Sequence, residues 1–267
     1  MVKPLRQSVN GWLAGRSGRR TIVLMSIVGA GGPKILAVES SGRIGSVGLA
    51  VGGHLVEVQS FSGSQRHAIE LMPTIDGLCA RHGWSPEDLA HVYVSAGPGS
   101  FTGLRIAITL ARTLALALDV RLVRVATVDV LARNALLADP RPAHLAIVLD
   151  AKRNQIYTAE FALAGEAYRK VRDAQLADPE AFLGTCGQPV AVLGEGIAYH
   201  REAIERSGAR VLDESLWRAR AENVHAVGYA MACNDAFTRA EDLVPIYIRL
   251  PEAEEKWALR HGGEAGP

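Results

Sequence analysis

Three groups of residues in this chain are of the types and spacings that do chemistry. The first is the glycine-rich stretch GPGSFTG, 97–103, which lies between the apolar run HVYVSA and the longer apolar run LRIAITLARTLALAL. The second is a pair of carboxylates, Glu39 and Asp150, each at the end of a short apolar run. The third is a set of eight histidines. A glycine loop between a strand and a helix can cradle a phosphate on backbone N–H groups. Here the phosphate patterns fail in detail. Gly97 is followed five residues later by Thr102, and Leu104-Arg105 follow Gly103 where a phosphate loop carries Lys-Ser or Lys-Thr. The dinucleotide pattern G-x-G-x-x-G stops at Thr102 instead of a third glycine. Ser100 has Pro98 two residues before it, so it lacks the G-x-S-x-G setting of an activated nucleophile. What remains is a tight turn in which Ser100 or Thr102 can cap a helix.

The carboxylates sit where an ATPase of the actin or sugar-kinase type places an acid in each lobe. Such enzymes follow the acid closely with glycine, so that backbone can approach phosphate. Glu39 is followed by Ser40-Ser41, with Gly42 only third, and Asp150 by Ala151-Lys152. Glu39, Ser40 and Asp150 are therefore candidates for a vestigial nucleotide site, against the alternative of solvated acids at strand ends. The histidines are His54, His67, His82, His91, His144, His200, His225 and His261. No two are three to five apart, so no helix offers a histidine pair to a metal, and no metal site is expected.

The elements that must hold these groups follow from periodicity. KILAVES (34–40) and IGSVGLAV (44–51) read as strands, and Gly52-Gly53 as a hairpin before HLVEVQSF (54–61). Apolar residues recur at helical spacing over 65–82, with Gly83 after the last. Ser85, Pro86 and Asp88 have the order of a capping box opening a short helix. Strands follow at 91–96 and 121–127, separated by a helix over 104–118, and Thr127 and Asp129 open another helix. Then the plan restarts. HLAIVLDAKRNQIYTAEFAL (144–163) echoes KILAVESSGRIGSVGLAVGG, with acid, polar turn and second strand in the same order at an offset of 111 residues. VAVLGEG, a helix over 197–207, a strand near 209–212, a helix near 222–239 and PIYIR (245–249) complete it. The repeat predicts a duplicated α/β architecture, with one lobe over 34–142 and a second over 143–267, the C-terminal segment returning to the first.

The chain of 267 residues suffices for two lobes with real cores. Cys79, Cys186 and Cys233 are odd in number, far apart and without a C-x-x-C, which argues against a disulfide framework or zinc ribbon and for reduced thiols in the cytoplasm. Residues 1–33 carry five basic residues and no acid, which leaves −4 on the rest of a chain whose net charge is +1. A mildly acidic body is a poor unaided binder of nucleic acid. The basic start followed by a short apolar run has the outline of a signal peptide. No A-x-A site follows, however, and a strand begins almost at once, so 1–33 is read as a disordered extension outside the repeated core, or as the product of a start codon upstream of Met25. No run of about twenty apolar residues marks a membrane span.

ILAVESS, QRHAIELMPTID, AGPGSFTGLRIAITLARTLALAL, VATVDVLA, DAKRNQIYTAEF, VLGEG and PIYIR occur in this order, and together they resemble the TsaB (YeaZ) family of bacterial tRNA threonylcarbamoyladenosine synthesis. The match runs over 34–249. Glu39 departs from the aspartate more usual there. The resemblance implies a two-lobed actin/hexokinase-like (ASKHA) fold and a non-catalytic paralogue of the TsaD-like subunit that transfers threonylcarbamoyl to the adenosine beside the anticodon. It implies pairing with that subunit, a TsaE-like ATPase in the complex and tRNA contact only through the complex; a homodimer is open to the chain where the partner is missing. ATP would serve the complex and its pathway, with no cofactor held by this chain alone beyond weak nucleotide binding at the junction. VATVDVLARNALLA lacks the His-x-x-x-His that TsaD-like proteins carry in the comparable helix, in agreement with the spacing argument. The independent alternatives are an ATP-dependent kinase of the same fold or a glycoprotease-like hydrolase.

The helix over 104–118 confines its polar positions to Arg105, Thr109, Arg112 and Thr113. An apolar arc of more than half the circumference is either wholly buried at home or shared with a partner. Large residues form one ridge (Ile106, Leu110, Leu114, Leu118), and Gly103, Ala107, Ala111 and Ala115 form a small one. The family joins its subunits through helices of the first lobe. The expected interface is therefore the small ridge, which permits close helix approach, with Met72 and Ile75 of the preceding helix.

Overall fold

The computed structural model describes residues 21–23, 31–61 and 67–246. The first sheet is built from β1 (Thr21–Val23), β2 (Lys34–Glu39), β3 (Gly45–Val51), β4 (His54–Phe61), β5 (Leu89–Ser95) and β6 (Arg121–Val125), in the order β1-β4-β3-β2-β5-β6. Between its strands run α1 (His67–Arg81) and α2 (Phe101–Leu118). After β6 come α3 (Thr127–Ala132) and the second sheet: β7 (His144–Ile147), β8 (Leu149–Asp150), β9 (Ile156–Ala164), β10 (Ala167–Ala177), β11 (Val190–Leu193) and β12 (Arg210–Val211). Helices α4 (Pro179–Gly184), α5 (Ile197–Ser207) and α6 (Ala221–Cys233) complete the described chain.

The duplication expected from the sequence is written in the strand order. Without β1, the first sheet reads β4-β3-β2-β5-β6 and the second β10-β9-β7-β11-β12, with β8 paired to β9. In each, the opening strand begins an antiparallel meander on one side and receives two parallel strands on the other. This is the two-lobed actin/hexokinase-like plan. The turn residues act as their chemistry requires. Gly52 turns the hairpin between β3 and β4 at φ +54. Gly83, at φ +63, ends α1 in a Schellman arrangement, with its N–H on the Ala80 carbonyl and the Trp84 N–H on that of Cys79.

Helices are exchanged between the halves. On one face of the first sheet lie α1 and α2, around Leu36, Val38, Val92 and Val94. Its other face is covered by α6 from the second half, whose Ala221 and Val224 join Ile35, Ala37, Tyr93 and Val123. Gly228 lets α6 lie on Tyr93, where a Cβ would stand 2.7 Å from the ring. In return, Val128, Leu131 and Ala132 of α3 enter the core of the second sheet.

Several expectations are corrected. Thr21–Val23 pairs antiparallel with β4, so this part of the supposed disordered extension belongs to the first sheet; residues 1–20 and 24–30 lie outside the described residues. Ser85 and Asp88 do form a capping box, but only a single 3-10 turn, Pro86–Asp88, follows it. Pairing of Leu89 with Lys34 starts β5 before a helix can grow. Helix α6 stops at Cys233, short of 239, and Asp235 has φ +57. Pro245 and Ile246 are not in a strand; the Ile246 N–H bonds the Ala96 carbonyl at 2.7 Å, and Tyr247–Arg249 lie outside the described residues. Helix α2, at 18 residues, is long and apolar enough to cross a membrane by length and composition alone, but it carries Arg105 and Arg112 and one face of it packs on the sheet, so the expected absence of a run of about twenty apolar residues stands.

Candidate partner groove and interlobe turns

Helix α2 starts where the glycine loop predicts a cap. The Ser100 Oγ accepts the Gly103 N–H at 3.3 Å. The loop's glycines serve close backbone approach. Gly97 has φ +110, and a Cβ on Gly99 would lie 2.6 Å from the Ser41 carbonyl oxygen. The Ser100 N–H bonds that same carbonyl at 2.7 Å, and the Ser40 Oγ donates to the Gly103 carbonyl at 2.8 Å. The glycine loop thus clamps the turn after β2 onto the start of α2, and Ser40 is a structural tie within the clamp.

The ridges of α2 are placed the other way round from the expectation. Gly103, Ala107 and Ala111 are buried with Leu104 and Ile108 against the chain's own first sheet, and Ala115 is half-buried. The small side chains let the helix backbone approach the sheet, which is the close approach they were expected to give a partner. The polar stripe carried the signal. On a helical wheel Ala107 lies roughly opposite the mean direction of Arg105, Thr109, Arg112 and Thr113. The large ridge is left at the side of the helix, with Ile106, Leu110, Leu114 and Leu118 only partly buried.

Beside that large ridge runs α1. Its Leu71, Ile75 and Leu78 are core residues, so Ile75 is withdrawn from the expected interface. Met72 stays on the surface at 51% exposure, and Ile69 is 70% exposed. Together Leu71, Met72, Arg105, Ile106, Thr109 and Leu110 line a groove of about 390 Å³ between the two helices. Exposed apolar side chains gathered along a groove mark an interaction surface more often than single scattered ones do. Of the expected interface residues the groove takes only Met72; Leu110 and Ile106 were missed because the small ridge was given their role.

The two strand-end acids lie at turns that face each other across the lobes. Glu39 is fully buried, and its Oε1 accepts both the N–H and the hydroxyl of Ser41 at 2.5 Å. Burial pushes its pKa above the ordinary carboxylate value, against the pull of the Ser41 bonds. Asp150 behaves oppositely. Burial would raise its pKa, but the Lys152 Nζ at 2.7 Å, the Lys152 N–H at 3.1 Å and His200 Nε2 at 3.2 Å outweigh this and hold it low. A third acid, Glu195, quoted in the sequence only as part of VLGEG, reaches from the second lobe to the first, where its Oε2 accepts the Arg43 N–H at 3.2 Å. The N–H groups of Ser41, Arg43 and Lys152 are therefore all bonded to carboxylates of the chain itself. In this arrangement those three donors are not open to a nucleotide's phosphates. Among the described residues no group of three or more His, Cys, Asp or Glu side chains stands together as a metal site needs.

The raised pKa of Glu39 has a measurable consequence. A carboxyl whose folded pKa lies above its unfolded value stabilises the fold below the unfolded value, and that contribution is lost as pH rises through the folded one. Melting the wild type and Glu39→Gln from pH 4 to pH 8 should show the glutamine variant gaining relative stability as pH rises. A constant difference across that range would contradict the burial argument.

The comparisons fall on proteins of tRNA threonylcarbamoyladenosine formation. A family model described as "TsaD: tRNA N6-adenosine threonylcarbamoyltransferase" matches residues 61–257. The Bacillus subtilis tRNA threonylcarbamoyladenosine biosynthesis protein TsaB is 32% identical over 199 residues, covering 72% of this chain and 84% of its own. The Escherichia coli TsaB is 26% identical over 84% of this chain and 97% of its own. YeaZ from Pseudomonas aeruginosa superposes with a TM-score of 0.68 at 26% identity, covering 80% of this chain and 99% of its own. With the duplicated lobes and the ordered motifs, these matches show that the chain belongs to the TsaB (YeaZ) family of tRNA threonylcarbamoyladenosine biosynthesis proteins.

Proposed function

We propose that this protein is a non-catalytic scaffold and activator subunit of the complex that installs threonylcarbamoyl on the adenosine beside the tRNA anticodon. It pairs with a TsaD-like catalytic subunit, and a TsaE-like ATPase joins the assembly. The observation that carries this reading is the apolar groove between α1 and α2, with Met72, Ile106 and Leu110 at its walls. The relatives' names and the match to a TsaD family model favour a partner of that kind, one built on the same fold. The chain meets tRNA through the complex, and a second copy covers the groove when the partner is missing. ATP is consumed by the complex and its pathway rather than held by this chain alone, in keeping with turn N–H groups already bonded to Glu39, Asp150 and Glu195.

Reconstitution tests this. Purified TsaD-like and TsaE-like subunits, supplied with threonylcarbamoyl-adenylate and unmodified tRNA, should give modified adenosine only when this chain is added. The chain alone should turn over neither ATP nor peptide above background. Full modification without it would remove the scaffold role. Turnover of ATP or peptide by the isolated chain that disappeared on Asp150→Asn would make it an independent kinase or hydrolase.

A further inference from the structure

Two of the three carboxylate bonds in the interlobe turns are local: Glu39 holds the N–H two residues on, and so does Asp150. The third crosses the lobes. Glu195 and Arg43 are 152 residues apart, and their bond joins the end of β11 to the turn after β2. The loop that carries Glu195 is held in place by its flanking glycines. A Cβ on Gly194, at φ +131, would fall 2.2 Å from the Val148 oxygen, and one on Gly196 would fall 2.6 Å from the Asp150 nitrogen. Opposite, Gly42 leaves the seat open, since a Cβ there would stand 3.0 Å from the Glu195 Oε2. Two cations meet beside the turn at Tyr199, one of them, Lys152, already paired with Asp150. The Arg43 guanidinium bonds the Tyr199 hydroxyl and lies 5.6 Å from the centre of its ring, and the Lys152 Nζ lies 5.3 Å from the same centre. A glycine-containing turn with a backbone donor and nearby cations is a seat for an anion, and here the anion is part of the chain.

We propose that Glu195 is the resident anion of the 41–43 turn and latches the two lobes together, so that a phosphate-bearing ligand and Glu195 are alternatives for one seat. A tethered carboxylate competes at an effective concentration of roughly millimolar or more, so a free anion enters only when Glu195 withdraws. The bond is charge-assisted, but at 3.2 Å it is long for its kind, and Arg43 lies at the surface, where water can replace it.

The test is a calorimetric titration of the purified full chain with inorganic pyrophosphate. Glu195→Ala should bind pyrophosphate about tenfold or more tighter than the wild type, equivalent to about 1.4 kcal/mol. Glu195→Gln, which keeps the side-chain volume and loses the charge, should fall between them and serves if the alanine variant does not fold. Amide hydrogen exchange at Arg43 should speed up in both variants. Adding Gly42→Val to Glu195→Ala should cancel the gain by filling the seat. Unchanged pyrophosphate affinity in a folded Glu195→Ala protein would overturn the proposal, and so would a gain that survives Gly42→Val. Both readouts use the isolated chain, so they stand whether or not the TsaD-like partner is the right one.

Discussion

Ala111→Arg is expected to unfold the first lobe. Ala111 has no exposed surface and lies with Ala107 and Ile108 in the core shared by α2, Val92 and Val94. An arginine there adds six heavy atoms at a site where the helix lies close on the sheet, and its charge has no buried acid among the residues of that core to meet it. Overpacking alone costs about 1–3 kcal/mol. An unpaired buried charge adds several more unless the helix lifts away. Against a total stability of about 5–15 kcal/mol, the expected result is a large loss of cooperative melting in circular dichroism, with partner pairing lost as a consequence. Ala111→Gly is the control. It empties no large volume and should cost about 1 kcal/mol of helix propensity. A folded Ala111→Arg protein with the wild-type melting temperature and no pairing would return the small-residue ridge to the interface.

The reversal on α2 shows what the sequence could and could not disclose. The end of the helix at Leu118, its cap and its polar stripe were legible, because each depends on residues close in the chain, although the helix starts at Phe101 rather than Leu104. Which ridge faces home was legible too, since the stripe lies opposite Ala107; what the sequence did not disclose is how near the helix comes to β5 and β2. That is fixed by the clamp between Ser40, Ser41, Gly99 and Gly103, four residues brought together from two segments. The duplication of the lobes was legible through the echo of apolar strand, acid and turn, while the strand order within each sheet was not. The exchange of α3 and α6 between lobes appeared only as a return of the C-terminal segment. The strand-end acids stood out as a type, while Glu195 did not. It follows a strand as Glu39 and Asp150 end theirs, but its partner lies 152 positions away in the other lobe. The short helix expected after Ser85 failed for a related reason, since β5 pairing overrode a correct local cap.

Leu110→Arg is expected to leave the fold intact and to remove pairing with the TsaD-like subunit. Leu110 is only partly buried on the wall of the groove, with Ile106 beside it and Met72 across from it on α1. In the isolated chain the aliphatic stem of an arginine can lie along that wall while its guanidinium stays in water, so the melting temperature should move by no more than a few degrees. In the complex the groove is covered, and the guanidinium must be buried without a partner or must hold the surfaces apart. Central apolar anchors of an interface are worth about 2 kcal/mol or more each, and a buried charge at the same place adds to the loss. The affinity should therefore fall by at least about 30-fold, read in a pull-down or by calorimetry, and tRNA modification in the reconstituted system should fall with it. Met72→Arg should act in the same direction from the opposite wall. Leu116→Arg separates a groove from a merely sticky helix. Leu116 is 82% exposed but lies on the polar side of α2, away from the groove, so its replacement should change pairing little. If a folded Leu110→Arg protein still captured the TsaD-like subunit at wild-type affinity, the groove between α1 and α2 would not be the interface. If Leu116→Arg disrupted pairing as strongly as Leu110→Arg, the contact would lie on the polar stripe of α2 instead.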